Sequence, residues 1–311
     1  MALTPFSTRG ILFFMPKILN LIKNILGNDL TQKIRPVGHG LKGYIASYKA
    51  GFPTKKIKLI GITGTKGKTS TTILTGRLMN LAGIKTGYLS TALISNDGIR
   101  DNETLNPYKM TSIDAFAMYG ELQKMVVNGC QYAVLEMSSE GLKQNRHWGL
   151  FGFVITVFLN IYPEHIESHG SFEKYKTAKS TLFKYLKPNG KIIVNGEAEM
   201  LENSNFMINA IPNAYQDTIQ KIYLKQDLNY KILTEPKQMY KQIELENQRF
   251  ETQALADFEI TNFAFAYNIL KVVEPGAANN ILSNSNFCKK ISGIPGRMEW
   301  VVKDNRLDFD N

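Results

Sequence analysis

The chain has 311 residues, 43% hydrophobic and 21% charged. This is an ordinary globular composition with enough apolar material for a core and a length suited to about two domains. It excludes a disordered chain, a collagen-like repeat and a small disulfide scaffold, and no run reaches the roughly 18 apolar residues that a membrane-spanning helix needs. The formal net charge of +10 is segregated: residues 1–68 hold twelve Lys/Arg against one acid, Asp29. That pattern disfavours a nucleic-acid-tracking surface and fits an anionic ligand or an anionic membrane surface.

The first fifty residues read as two short helices forming a basic N-terminal arm. Ile18, Leu19, Ile22, Ile25 and Leu26 recur at helical spacing, with Lys17, Asn20, Lys23 and Asn24 opposite, and Gly27-Asn28-Asp29 ends the segment. The run Ile11–Met15 is too short for a signal-peptide core, and Pro16 interrupts it. The arm either lies at a membrane interface or packs as a hairpin against the domain behind it. Cys130 and Cys288 stand far apart without zinc-site spacing, which fits a reducing, cytoplasmic setting.

Residues 51–290 read as one α/β domain with a mostly parallel sheet flanked by helices. Ile57–Ile62 forms a strand that enters a glycine loop, and a helix follows from Thr69 to about Ala82. A second helix covers roughly Ile113–Val127, before the strand Gln131–Met137. Phe151–Asn160 is a third strand, Phe172–Leu186 a helix and Lys191–Asn195 a fourth strand. Residues 200–255, rich in Lys, Gln and Asn, are expected to form short strands. Residues 291–311 read as a linker and the start of a missing C-terminal domain.

The loop GITGTKGKTS at 61–70 carries the chemistry. Gly64 and Gly67 let the backbone curl so that successive N–H groups face an anion. Lys68 supplies a point charge for phosphate oxygens, and the Thr69 hydroxyl suits Mg²⁺. The helix starting there adds the positive end of its dipole. Ile62 stands where a strict Walker pattern has glycine, so this is a variant P-loop for a nucleoside triphosphate.

The segment Thr63–Ser70 (TGTKGKTS) resembles the TGTxGKT(S/T) loop of the Mur ligases, ATP-dependent amide-forming enzymes of cell-wall synthesis. Four further segments, in order, resemble the tripeptide-synthetase branch. Glu136–Leu142 (EMSSEGL) with Arg146 is similar to E-x-S-S-H-x-L…R. Asn160–Gly170 is similar to TNL-x-x-DHLDYHG, Tyr175–Phe183 to Y-x-x-AK-x-x-LF, and Gly296–Glu299 to GRME. The resemblance spans about residues 55–300.

That resemblance implies the fold of the Mur ligase central domain, with ATP as the nucleotide and Mg²⁺ as the cation. It implies that the γ-phosphoryl moves to a carboxylate, giving an acyl phosphate that an incoming amine attacks, with hard cations and Lys68 stabilising the charge. By the same resemblance Gly64, Thr65, Lys66, Gly67, Lys68, Thr69 and Ser70 hold the phosphates, Asn160 contacts the adenine, and Arg297 lies near the nucleotide. Thr69 and Glu136 face one Mg²⁺. His165 and a carbamylated Lys179 face the second, because an ammonium cannot ligate a cation. Lys68, Lys179, His165 and Glu136 are therefore the candidate catalytic set. Thr111, Ser112, Ser138 and Arg146 are candidate contacts to the substrate, a UDP-N-acetylmuramoyl-peptide to which an amino acid is added.

The chain departs from the pattern at Leu159, Glu164, Ser168 and Glu140, which replace Thr, Asp, Tyr and His. The family's UDP-binding first domain and its Rossmann-like last domain, of ordinary domain size, find no counterpart in residues 1–311. The expectation is a chain that binds ATP but forms amides slowly unless the last domain is supplied, for instance by a separate chain. Two alternatives stay open: a non-catalytic ATP-binding subunit or regulator, and a related ligase of the folylpolyglutamate or cyanophycin type.

Overall fold

The computed structural model describes residues 37–147, 150, 152–217, 220–224, 230–233, 241–252, 257–282, 287–296, 299–303 and 306–310. The expected helix around Ile18–Leu26 and the candidate residue Arg297 lie outside them. The second arm helix, α1 over 37–49, lies against the domain. Ala46 joins the core beside Ile113 and Ala115, and Lys42 pairs with Asp114.

The domain opens with β1 (Lys58–Thr63) and α2 (Lys68–Leu81), followed by β2 (Thr86–Leu89), β3 (Leu93–Ser95) and β4 (Thr104–Leu105). Next come α3 (Ala115–Val127), β5 (Tyr132–Glu136), α4 (Ser139–Lys143) and β6 (Phe153–Phe158). Then follow α5 (Ile166–His169), α6 (Phe172–Ser180), β7 (Leu186–Asn195), α7 (Ala198–Ile208) and β8 (Gln220–Leu224). A small sheet of β9 (Tyr230–Ile232), β10 (Lys241–Leu245) and β11 (Gln248–Thr252) precedes α8 (Asp257–Val273), α9 (Pro275–Leu282) and α10 (Phe287–Ile291). The last described elements, β12 (Glu299–Lys303) and β13 (Arg306–Asp310), form an antiparallel hairpin.

The main sheet has the order β4-β3-β2-β5-β1-β6-β7-β8. Its strands run parallel from β2 to β8, and β3 and β4 close one edge antiparallel. Helices cover both faces, as a parallel sheet requires. The period-two alternation of β1 shows how: Ile60 and Ile62 face the layer of α2, α8 and α9, while Leu59 faces the other. Gly61 shares that second face, where a Cβ would come within 2.8 Å of Phe153 and 2.9 Å of Leu182. β5 and β6 flank β1, so the chain departs to both sides of it and leaves a crevice at the carboxyl ends of these strands, the usual ligand site of an open α/β sheet.

Three expectations need correction. Residues 198–208, at the start of the stretch expected to be strands, form helix α7, because Met200, Ser204, Met207 and Ile208 recur on one buried face. The expected helix Phe172–Leu186 is α-helical only to Ser180 and tightens to 3-10 geometry over Thr181–Tyr185. The fourth strand begins at Leu186, and its register with β6 shifts where Asn189 adopts a positive φ.

One buried ionic network ties α2 to the segment after α10. The Arg77 guanidinium meets the Glu103 carboxylate through Nε at 2.8 Å and Nη2 at 2.6 Å, while Nη1 donates to the carbonyls of Ile291 and Ser292, both at 2.8 Å. The Tyr88 hydroxyl donates to the same carboxylate, and burial with that contact raises its pKa. Both charged side chains are more than nine-tenths buried. Removing one charge strands the other, at a cost of about 3–5 kcal/mol. Arg77→Met should lower stability in urea unfolding by that order, and Arg77→Met/Glu103→Gln should recover much of it. A single-variant loss below about 1 kcal/mol, the range of exposed pairs, would contradict this role.

Candidate functional site

The glycine loop sits at the carboxyl end of β1. Thr63 Oγ1 donates to the Met137 carbonyl at 3.0 Å, tying the end of β1 to the end of β5. Gly67, with φ 82°, is the N-cap of α2. Two asparagines grip the loop. Asn160 Oδ1 accepts from the N–H groups of Thr65 (3.1 Å) and Lys66 (2.9 Å), and its Nδ2 donates to the Lys66 carbonyl at 3.2 Å. The Asn160 amide, expected at the adenine, is thus engaged with the loop while also lining the adjoining cleft. On the other side Asn262 Oδ1 occupies the space a side chain at 67 would need, 2.2 Å from a Cβ there. Gly64 is as confined, with a Cβ position 2.9 Å from Leu159 Cβ.

Lys68 Nζ donates to the Thr65 carbonyl at 2.8 Å, folded back over its own loop. The Thr69 hydroxyl lies 3.1 Å from both oxygens of Glu136, a buried carboxylate at the end of β5. Glu136 Oε2 also accepts from the Thr91 N–H at 2.7 Å and the Thr91 hydroxyl at 3.0 Å, and Thr91 Oγ1 is 2.6 Å from Thr111 Oγ1. Through the Glu136 carboxylate, hydrogen bonds thus link Thr69, Thr91 and Thr111, joining the glycine loop to one of the substrate candidates. Beyond Thr111, the hydroxyls of Ser112 and Ser138 meet, and Arg146 Nη1 donates to the Ser112 carbonyl at 3.1 Å. Ser138 also caps α4 by accepting from the Gly141 N–H at 3.1 Å.

Lys179 is 1% exposed, and its Nζ donates to the Gly64 carbonyl at 2.6 Å while lying 4.6 Å from the Tyr175 ring centroid. Burial, and then the charge of Lys68, hold its pKa well below the usual lysine value, against the pull of Glu164 and Glu136. His165 is exposed, has φ 58° and meets the same Tyr175 ring at 5.9 Å between centroids. Among the described residues no group of three or more His, Cys, Asp or Glu side chains gathers as a ready metal cage. The implied metal set is thus brought together in part: Thr69 touches Glu136, Lys179 lies under the loop, and His165 stands at the surface nearby. Lys66 is exposed and pairs with Glu164 at 3.6 Å. Glu140, which replaces a histidine of the motif, faces His169 at 3.7 Å.

A cleft of about 670 Å³ lies along this edge of the sheet, walled by residues 65–70, Glu136, Asn160 and the first turns of α8, a size that suits a nucleotide. Two features test the fit. Asn262 is 5% exposed, and its Nδ2 is buried with no hydrogen-bond partner among the described residues, leaving a donor beside the loop for an anion. The hydrogen-bond donors to Glu136 are hydroxyls and one amide, an oxygen-rich setting that suits a hard cation. Both groups fit.

Thr91, Asn262 and the buried His147 join the site without having been candidates from the sequence. Ser90-Thr91 follows β2, a four-residue strand too short to stand out along the chain, and Asn262 sits on a helix in a stretch whose pattern gave no signal. His147 Nε2 lies 3.2 Å from Ser112 Oγ. Burial, and then the charge of Arg146, push its pKa down to about 4. A base with a depressed folded-state pKa is neutral in the native state and binds a proton on unfolding. Its stabilising neutrality is therefore complete above pH 6.5 and lost as pH falls toward 4, at a cost of up to about 3 kcal/mol. His147→Asn should flatten the acid limb of stability measured in urea between these pH values, leaving a residual slope from His169, whose pKa is also lowered. An unchanged limb would reject this assignment.

Residues 62–270 match the model of the Mur ligase middle domain. A Bacillus cereus protein named UDP-N-acetylmuramoyl-L-alanyl-D-glutamate--2,6-diaminopimelate ligase is 30% identical over 270 residues, covering 83% of this chain and 51% of that protein. A Treponema denticola UDP-N-acetylmuramyl-tripeptide synthetase is 40% identical over 139 residues, 44% of this chain and 25% of its own length. The solved structure of a UDP-N-acetylmuramoyl-L-alanyl-D-glutamate--2,6-diaminopimelate ligase superposes with a TM-score of 0.65 at 23% identity, over 87% of this chain and 54% of that one. The chain spans about half the length, or less, of the curated relatives it matches.

Proposed function

The chain belongs to the Mur ligase family, and from that premise we propose that it is the nucleotide-binding and phosphoryl-transfer part of an ATP-dependent amide ligase of peptidoglycan-precursor synthesis. The substrate in this reading is a UDP-N-acetylmuramoyl-peptide carboxylate, and the second reactant is an amino acid. One observation carries the reading: the loop, Lys68, Thr69 and the buried Glu136 converge on a single cleft, with Thr69 Oγ1 3.1 Å from the carboxylate. When bound, ATP supplies the phosphoryl that turns the carboxylate into an acyl phosphate, and Mg²⁺ offsets the negative charge.

The residues of the chain do the rest. The N–H groups at the start of α2 cradle phosphate oxygens, and Lys68 swings from the Thr65 carbonyl to meet them. Asn262 donates its unused Nδ2–H toward the same anion. Thr69 and Glu136 orient a hard cation. Thr111, Ser112, Ser138 and Arg146, gathered along the same edge, steer the acyl substrate toward the phosphates. Lys179 favours an enzyme over a passive binder. Its amine is buried and inclined to the neutral form, the form that adds to CO₂, and the addition yields a carbamate anion and releases a proton. A passive binder has no need of such a lysine under its loop.

Lys68→Ala removes a charge-assisted contact of about 1.5–3 kcal/mol, so calorimetry should find ATP·Mg²⁺ bound roughly 10- to 150-fold more weakly. Equal affinity would overturn the loop assignment. For Lys179, ¹³C-labelled bicarbonate should give a carbamate resonance in the native protein that is absent from Lys179→Ala. Ligation by the Lys179→Ala protein should fall and recover in part with short carboxylates. Identical spectra together with undiminished turnover would remove Lys179 from the mechanism.

A further inference from the structure

Helix α1 buries one face and leaves an apolar stripe on another. Gly40, Gly43, Ala46 and Ser47 are covered, whereas Val37 (71%), Leu41 (54%), Tyr44 (51%) and Tyr48 (66%) are exposed. Their spacing of four, three and four residues places them on one line of the helix. Phe52 extends the stripe, its ring meeting Tyr44 and Tyr48 edge-on at 6.2 and 5.9 Å. Large apolar side chains in a row on the surface mark an interaction site.

Charge identifies the partner. Residues 1–56 contain nine Lys/Arg and one acid, Asp29. In the described part Lys55 and Lys56 are exposed just after Phe52, with Lys55 Nζ 4.7 Å above its ring, while the exposed Lys49 reaches over the Phe116 ring of α3 at 5.6 Å. Upstream, the apolar residues Ile18, Leu19, Ile22, Ile25 and Leu26 are again interleaved with Lys17 and Lys23. Tyrosines with an apolar body and a polar tip, rimmed by lysines, match the headgroup boundary of a bilayer. A basic rim is attracted to anionic lipid and gains nothing from a neutral one. No helix among the described residues is long and apolar enough to cross a membrane.

We propose that the α1 stripe, with its lysine rim, is a docking surface for an anionic phospholipid bilayer. This surface is separate from the nucleotide cleft, and its role does not depend on the ligase reading. The test is co-sedimentation of the 311-residue chain with phosphatidylcholine vesicles, with and without about one-third phosphatidylglycerol, at low and high salt. The protein should sediment with anionic vesicles at least about tenfold more than with neutral ones, and salt should release it. Leu41→Ser/Tyr44→Ser/Tyr48→Ser should lose most of that binding while ATP affinity stays unchanged, since all three side chains are exposed. Equal sedimentation with both vesicles overturns the proposal. So does full binding by the triple variant, which would leave charge alone responsible. A concentration-dependent dimer that Leu41→Glu dissociates, without vesicle binding, would assign the stripe to a second copy of the chain instead.

Discussion

The turn between β1 and α2 has to pass between two walls with no side chain of its own at two points. At Gly64 the wall is Leu159 and the Asn160 backbone; at Gly67 it is the Asn262 amide. Everything at the cleft depends on that fit. With the loop held at this distance from β6 and α8, the N–H groups of Thr65 and Lys66 donate to Asn160, α2 starts at Lys68, and Thr69 falls opposite the end of β5. Any side chain at 67 would displace Asn262 and strain a left-handed backbone as well.

The same geometry explains why charged groups can be buried here. Glu136 survives at 4% exposure because Thr69 and Thr91 surround it with donors. Lys179 survives at 1% because a carbonyl and a ring face receive it, and it responds by giving up basicity. Arg77 and Glu103 use the third solution, a bidentate pair with extra carbonyl acceptors. Buried charges settle by pairing, by hydrogen bonding or by shifting their pKa, and the three cases lie within one domain. Because Arg77 and Lys68 share α2, the glycine loop and the segment after α10 are mechanically joined by one helix.

The central strands and the glycine loop were legible because their signals are local. Leu59–Ile62 alternates between two buried layers, and Gly-Lys-Thr at the strand–helix junction has few other uses. Helix α7 leaves a weak trace in the chain because its buried face includes the polar Ser204 beside Met200, Met207 and Ile208, and the 3-10 turn after α6 because propensity does not distinguish the two helix types.

Sequence by itself thus determined the α/β class, the glycine loop and the family resemblance, all of which are carried by short contiguous segments. Tertiary structure decided which distant groups complete the cleft. Thr91 reaches Glu136 from 45 residues away, Lys179 reaches Gly64 from 115, and Asn262 reaches Thr71 from 191. Such pairings carry no periodic trace along the chain. They arise only when parallel strands bring their carboxyl ends together and helices from both layers close over them, since strand order in a parallel sheet is not chain order.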